Sequence, residues 1–216
     1  MSKGKKKTGG SRKGSIMGAS HIPYSQRLKM SQTEKIAANR HHSAKVSMFC
    51  LSLAMHRVKG VGYKNLVRFS LRYKEVEDEM YEDLELGMDR ARRRMEQMGF
   101  PISGEFYSVQ MPGLTVREQQ VHDHALQAAQ ISLIAGAIAM NDVFGYGKAV
   151  QERISVENTK VSEEYNKKGF DWLLGEMEKL GFLIVDGEVR AFLDDDDRPI
   201  TPAKARKEGY PEARDR

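Results

Sequence analysis

Arg57, Lys59, Lys64 and Arg68 crowd a Gly60-x-Gly62 turn in the segment VKGVGYKNLVRF, Val58 to Phe69. At that spacing they form no catalytic or metal-binding set. What they could do is capture an anion: glycine lets a ligand approach the backbone, the unpaired amides of a helix start point outward, and the basic side chains supply counter-charge. The bland alternative is that Gly60 and Gly62 only let two packed helices turn. A second basic cluster, Arg90, Arg92, Arg93 and Arg94, falls on a stretch of helical periodicity and could meet phosphates or base edges. It reads equally as a solvated face, with Met88, Ala91 and Met95 inward and arginine complementing the C-terminal dipole. A third cluster, Lys5, Lys6 and Lys7 with Arg12 and Lys13, lies in a Lys/Gly/Ser-rich leader of the kind that settles on polyanions or acidic surfaces.

Covalent chemistry finds no footing. His41 with His42, and His122 with His124, lack the i, i+4 spacing of a helical zinc site. Asp194 to Asp197 are consecutive, whereas a calcium loop spaces its carboxylates. Cys50 is the single cysteine, so no internal disulfide can form, and its apolar neighbours predict a buried thiol in a reducing compartment. No nucleophile elbow marks a catalytic serine. The expectation is a non-enzymatic protein without cofactor or metal.

The elements that must position these residues are written twice. Ala54 to Lys64 reads AMHRVKGVGYK and Ala139 to Ala149 reads AMNDVFGYGKA, five of eleven positions coinciding at an offset of 85. Ser31-x-x-Glu34 answers to Thr115-x-x-Glu118, Met95-Glu96-x-x-Gly99-Phe100 to Met177-Glu178-x-x-Gly181-Phe182, and Ser103-Gly104-Glu105 to Asp186-Gly187-Glu188. Self-similarity in register predicts a tandem pseudo-repeat. Each Ser/Thr-x-x-Glu opens a capped helix. The first runs from Ser31 to about His56, apolar on all sides over Val46 to Met55. A second helix starts near Tyr63, and a third covers roughly Leu84 to Met98 with Gly99 as its stop. Phe182 to Leu193, split by Asp186-Gly187, predicts a β-hairpin; Ile102 to Tyr107 is a weaker version. Gly136, central in the Ala-rich first helix of the second copy, predicts close approach of a neighbouring helix. The expected fold is mainly α (α+β): two packed units of helix, Gly-x-Gly turn, helix, helix and β-hairpin. Their bounds are a basic disordered tail over 1–30, unit one over 31–110, unit two over 111–193 and a flexible C-terminal tail over 194–216.

The turn from Val58 to Phe69 resembles the helix-hairpin-helix DNA-binding motif, an apolar-x-Gly-apolar-Gly turn whose following helix start grips a nucleic-acid phosphate. The resemblance covers about 25 residues, with Lys59 where that family often has Pro. It implies backbone contact through Gly60 and Gly62. The second turn, VFGYGKA, keeps the glycines without the base cluster, so only the first is expected to be a site. A helix followed by a hairpin also resembles winged-helix proteins, which would make Arg90 to Arg94 a recognition surface. The AMxxVxGxG pattern is similar to small proteins of bacteriophages that infect Gram-positive hosts, a likeness that carries no activity.

Charge segregation points the same way. Residues 1–30 hold eight Lys/Arg and no acid, residues 31–74 nine Lys/Arg against Glu34 alone, and residues 75–88 seven acids and no base. Such asymmetry bears on partners rather than fold. The most apolar stretch, Ala125 to Met140, is too short and interrupted for a membrane span. Two functions stay open: a cytoplasmic accessory protein that binds DNA or RNA, or a phage-encoded adaptor or inhibitor acting on a host protein in the host cytoplasm. For the first, the candidate residues are Lys5, Lys6, Lys7, Arg57, Lys59, Gly60, Gly62, Lys64, Arg68, Arg90, Arg93 and Arg94.

Overall fold

A computed structural model of the chain describes residues 31–100, 112–185, 187–194 and 198–208. The Lys5 to Lys7 cluster and the weaker hairpin at Ile102 to Tyr107 lie outside the described residues. The described fold is mainly helical, with two small two-stranded sheets. In chain order it runs α1 (Gln32–Lys59), α2 (Tyr63–Glu82), α3 (Leu84–Gln97), α4 (Val116–Phe144), α5 (Lys148–Lys168), α6 (Phe170–Lys179), β1 (Leu183–Val185), β2 (Glu188–Arg190), β3 (Phe192–Leu193), β4 (Pro199–Ile200) and α7 (Pro202–Glu208).

The helix boundaries follow local chemistry. Ser31 and Thr115 each accept from the amide three residues on, while Glu34 and Glu118 accept from the cap amides. Both boxes thereby satisfy donors the helix leaves orphaned. Both long helices stop at a left-handed glycine: Gly60 has φ 64°, ψ 25° and Gly145 φ 64°, ψ 24°. An L side chain rarely adopts that conformation, which is why glycine stands there. After α3 and α6 the stop is again shared. Phe100 N–H donates to the Met95 carbonyl (2.8 Å) and Phe182 N–H to the Met177 carbonyl (3.2 Å).

α1 and α4 form the central pair and share the most extensive contact in the molecule. From Met48 to Met55 every residue of α1 is buried, as its almost wholly apolar run, broken only by Ser52, predicts. Leu51 fills the space beside Gly136, where any Cβ would collide with it, so the glycine sets how closely the helices cross. Further along, the Lys59 ammonium lies over the Tyr146 ring (5.7 Å). Both contacts advance toward the C-termini, so α1 and α4 run parallel. α2 returns antiparallel in one groove of this pair: the Tyr73 hydroxyl donates to the Ala44 carbonyl (3.4 Å), and Arg40 covers the Tyr81 ring (4.6 Å). α5 returns in the other groove, with Tyr165 reaching His42 (3.4 Å) and Gln151 Nε2 donating to the Ala137 carbonyl (3.1 Å).

Several contacts involve residues that the sequence offset of 85, or of 82 beyond Met95, relates as counterparts. Leu51 and Gly136 are counterparts and touch each other. Arg57 pairs with Glu157 (3.3 Å); the counterpart residues, Asp142 and Arg72, pair at 2.8 Å with the charges exchanged. The His56 ring, through Nδ1, meets the Val61 carbonyl (3.0 Å), and Asn141 Nδ2 donates to the Tyr146 carbonyl (3.4 Å). Tyr63 fills the space beside Gly181, while Lys148 packs beside Gly99. Phe69 and Ile154, and Val76 and Val161, each separated by the same offset, are all buried.

Two expectations need correction. Residues 194–208 do not form a loose tail where they are described. β4 pairs antiparallel with β3, matching Phe192 to Ile200, and α7 follows. Ile200 and Ala205 join Leu183 and Phe192 in a small second core, apolar residues the acidic run at 194–197 obscured. The second concerns the acidic run 75–88, whose charges would by themselves read as the wet face of the second and third helices; it is not wholly solvated. Glu77 turns inward to accept from the Ser132 hydroxyl (3.3 Å), and burial raises its carboxyl above the ordinary range. The hairpin expected over Phe182 to Leu193 forms over Leu183 to Arg190 as β1 and β2, with Ile184 opposite Val189, while Phe192 and Leu193 pair with β4 instead. Cys50 is buried, and burial pushes its thiol up to about 11. No helix among the described residues is long and apolar enough to cross a membrane.

Candidate nucleic-acid interface

The first glycine turn is held from behind and open in front. Gly60 N–H closes α1 on the His56 carbonyl (2.7 Å), and Val61 is buried. Gly62 caps α2 with extended backbone and no side-chain hydrogen bond. The Asn65 and Leu66 amides both donate to the Gly62 carbonyl (3.1 and 3.0 Å). The amides ahead of them belong to the helix start, which no intrahelical acceptor serves. No acid lies in the first turn of α2 to compete for them. A Cβ placed on Gly60 or Gly62 would meet nothing within 4 Å. Lys59, Lys64, Asn65 and Arg68 are exposed around this opening. Tyr63 is the exception and points inward, its ring edge on Phe182 (5.0 Å) and its hydroxyl accepting from the Phe192 amide (3.3 Å).

The arginines expected to join this turn divide. Arg57 turns toward α5, donating to Glu164 (2.7 and 3.4 Å) and Glu157 (3.3 Å). These bonds, with Lys168 as a second donor, hold the Glu164 carboxyl down at about 2. Arg94 bonds Asp142, which Arg72 also reaches (2.8 Å), and both arginines lower that carboxyl. Arg57 and Arg94 are thus engaged in holding helices together. Arg90 and Arg93 are exposed, opposite the buried face of Met88, Ala91 and Met95.

The two turns are not independent. Because α1 and α4 are parallel, both turns sit at one end of the bundle, and Lys59 bridges them through its contact with Tyr146. Arg94 brings α3 against Asp142, just before the second turn. Lys148, at the second helix start, packs by Gly99 with its ammonium 5.9 Å from the Phe100 ring. Gly147 also lacks a side-chain cap, and no acid lies in the first turn of α5. Lys59 of the first turn thus brings its charge to VFGYGKA, which has only Lys148 of its own. Lys148 is an exposed base at this end that was not among the candidate residues. Its signal was the counterpart relation to Tyr63, uninformative until the packing is known.

The arrangement brings two helix starts, two glycine turns and the exposed Lys59, Lys64 and Lys148 to one end, with no acid in either first helical turn. No protein-family model, curated protein or solved structure matches the chain, so what this surface binds must be argued from its own chemistry.

Proposed function

We propose that the chain is a tandem pseudo-repeat, units 31–110 and 111–193, acting as a non-enzymatic nucleic-acid-binding accessory protein that grips the phosphate backbone. The paired contacts described above support the repeat. The observation that carries the function is the open, uncapped start of α2 at Gly62, flanked by exposed Lys59, Lys64 and Arg68. Backbone amides and a helix dipole favour a phosphate there, and lysines displace its counterions. Arg90 and Arg93 extend the basic surface along α3. The leader lysines Lys5, Lys6 and Lys7 add sequence-independent attraction. A buried, unreactive Cys50 suits a reducing interior such as a cytoplasm.

The test is a salt titration of binding to a labelled duplex and to its single strand. Affinity falls steeply with salt, and the slope lessens by about 2–3 when Lys59, Lys64 and Arg68 are neutralised together. A flat salt dependence, or an unchanged slope in the triple variant, overturns the reading.

A second reading, a protein-binding adaptor or inhibitor, draws on a different corner. Leu86 is 59% exposed and Leu84 39% exposed beside Glu82, Asp83 and Glu85 at the α2–α3 junction. Apolar side chains rimmed by acids suit a basic protein surface. Loss of a protein partner on Leu86→Ser, with nucleic-acid affinity intact, would favour it.

A further inference from the structure

We infer that the interface between the α1–α3 half and the α4–α6 half carries a pairing code: each half fits the other and rejects a copy of itself. The inference rests on the tandem-repeat reading proposed above, and it concerns a surface distinct from the glycine turns.

Charge is the first element of the code. Arg57 meets Glu157 and Glu164 across one groove, and Asp142 meets Arg72 and Arg94 across the other. Arg57 and Asp142 are counterparts, as are Arg72 and Glu157. Arg94 answers to Glu176, at the same offset that relates Met95 to Met177. These three counterpart pairs are of opposite sign; Glu164 is the exception, since its counterpart Glu79 is also an acid. Two copies of the first half, joined in this geometry, would set Arg57 against Arg72 and Arg94, with Glu79 as the one acid in the place of Glu164. Two copies of the second would set Asp142 against Glu157 and Glu176. The six paired side chains are between 18 and 34% exposed, so solvent screens them only in part.

Size is the second element and is independent of charge. Leu51 and Gly136, counterparts that touch, lie where the two parallel helices cross. Two first halves would oppose leucine to leucine at a separation set by glycine. Two second halves would oppose glycine to glycine and leave a void. Both arrangements cost stability, one by overpacking and one by a cavity. The rest of the interface discriminates little, because Ala54, Met55, Ala139 and Met140 are shared by both halves. Specificity therefore comes from the repulsive elements set against like pairing. The partner this surface fits is the complementary half, in the same chain or, by exchange of whole halves, in a second copy.

Full-length variants followed by thermal unfolding and by light scattering on a sizing column test the code. Asp142→Arg with Glu157→Arg gives the second half first-half charges. Its melting temperature should fall by about 5–12 °C at low salt, with a smaller fall at high salt. Arg57→Glu with Arg94→Glu should lower the melting temperature of the wild type but raise that of the double-arginine variant. That change of sign is the signature of the code. If the double-arginine variant melts as wild type, or the added acids lower both backgrounds alike, the code is wrong. The exchange Leu51→Gly with Gly136→Leu should melt above Gly136→Leu alone, or fold where that variant does not. Sign reversal in the charges without recovery in the size exchange would overturn the repeat reading, because positions 51 and 136 would then not be equivalent.

Discussion

Truncating Leu51 and filling Gly136 one methyl at a time measures how tightly α1 and α4 are drawn together. Leu51→Ala removes a nearly fully buried side chain at the crossing, and such truncations cost about 2–4 kcal/mol through lost transfer energy and an unfilled cavity. Gly136→Ala has opposing terms. Alanine stabilises the middle of a helix by about 1 kcal/mol relative to glycine. Its Cβ, however, would press into the Leu51 side chain and approach Tyr73 Cδ2 at 3.9 Å, and overpacking of that kind costs about 1–3 kcal/mol. The net effect in the wild type is a loss of up to about 2 kcal/mol, lessened because a leucine terminus can shift where backbone cannot. With Leu51→Ala already present the collision is gone, only the helical gain of about 1 kcal/mol remains, and the substitution stabilises. The two changes should therefore couple by about 1–3 kcal/mol in a double-mutant cycle. Urea unfolding followed by far-ultraviolet circular dichroism reads each corner, with an unchanged m-value as the control. An effect of Gly136→Ala that is the same in both backgrounds, within about 0.5 kcal/mol, would refute the crossing described here.

Gly87→Ala should be harsher, about 2–4 kcal/mol by urea unfolding, because its Cβ would meet backbone, the Glu79 carbonyl oxygen and Met80 Cα at 2.7 Å, so α3 must lift off α2. Gly175→Ala is the matching control: nothing lies within 4 Å, and the variant should gain up to about 1 kcal/mol. Acid sensitivity follows from the ion pairs. Glu164 is lowered from 4.5 to about 2, so its stabilising share is complete above the unfolded value and is lost as pH falls toward 2. Asp142 and Glu157 act in the same direction. A Glu164→Gln variant should show a shallower decline of melting temperature between about pH 5 and 2; an unchanged decline would remove Glu164 from that account.

Local signals in the chain were legible. The capping boxes at Ser31 and Thr115, the glycine stops at Gly60 and Gly145, the hairpin beyond Phe182 and the close approach at Gly136 are short-range or single-residue matters of cap, conformation and size. The partners of the arginines were not. Arg57 and Arg94 read as free bases, because their acids lie about 100 and 48 residues away and no periodicity announces them. Nor did the run at 194–197 reveal that Ile200 and Ala205 beyond it are anchored, since two apolar residues among charges carry no pattern. Lys148 could be placed at a helix start, but not beside Gly99, for the same reason: that neighbour is supplied by the opposite half.

The parallel course of α1 and α4 has a metric consequence. α1 holds 28 residues and so measures about 42 Å, which puts Ser31, where the lysine leader joins, at the far end from both glycines. A duplex rises about 3.4 Å per base pair, so about 12 base pairs would span the distance from Ser31 to the turns. On the proposed reading, a duplex shorter than this would meet the glycine turns without extending past Ser31, where the described chain begins.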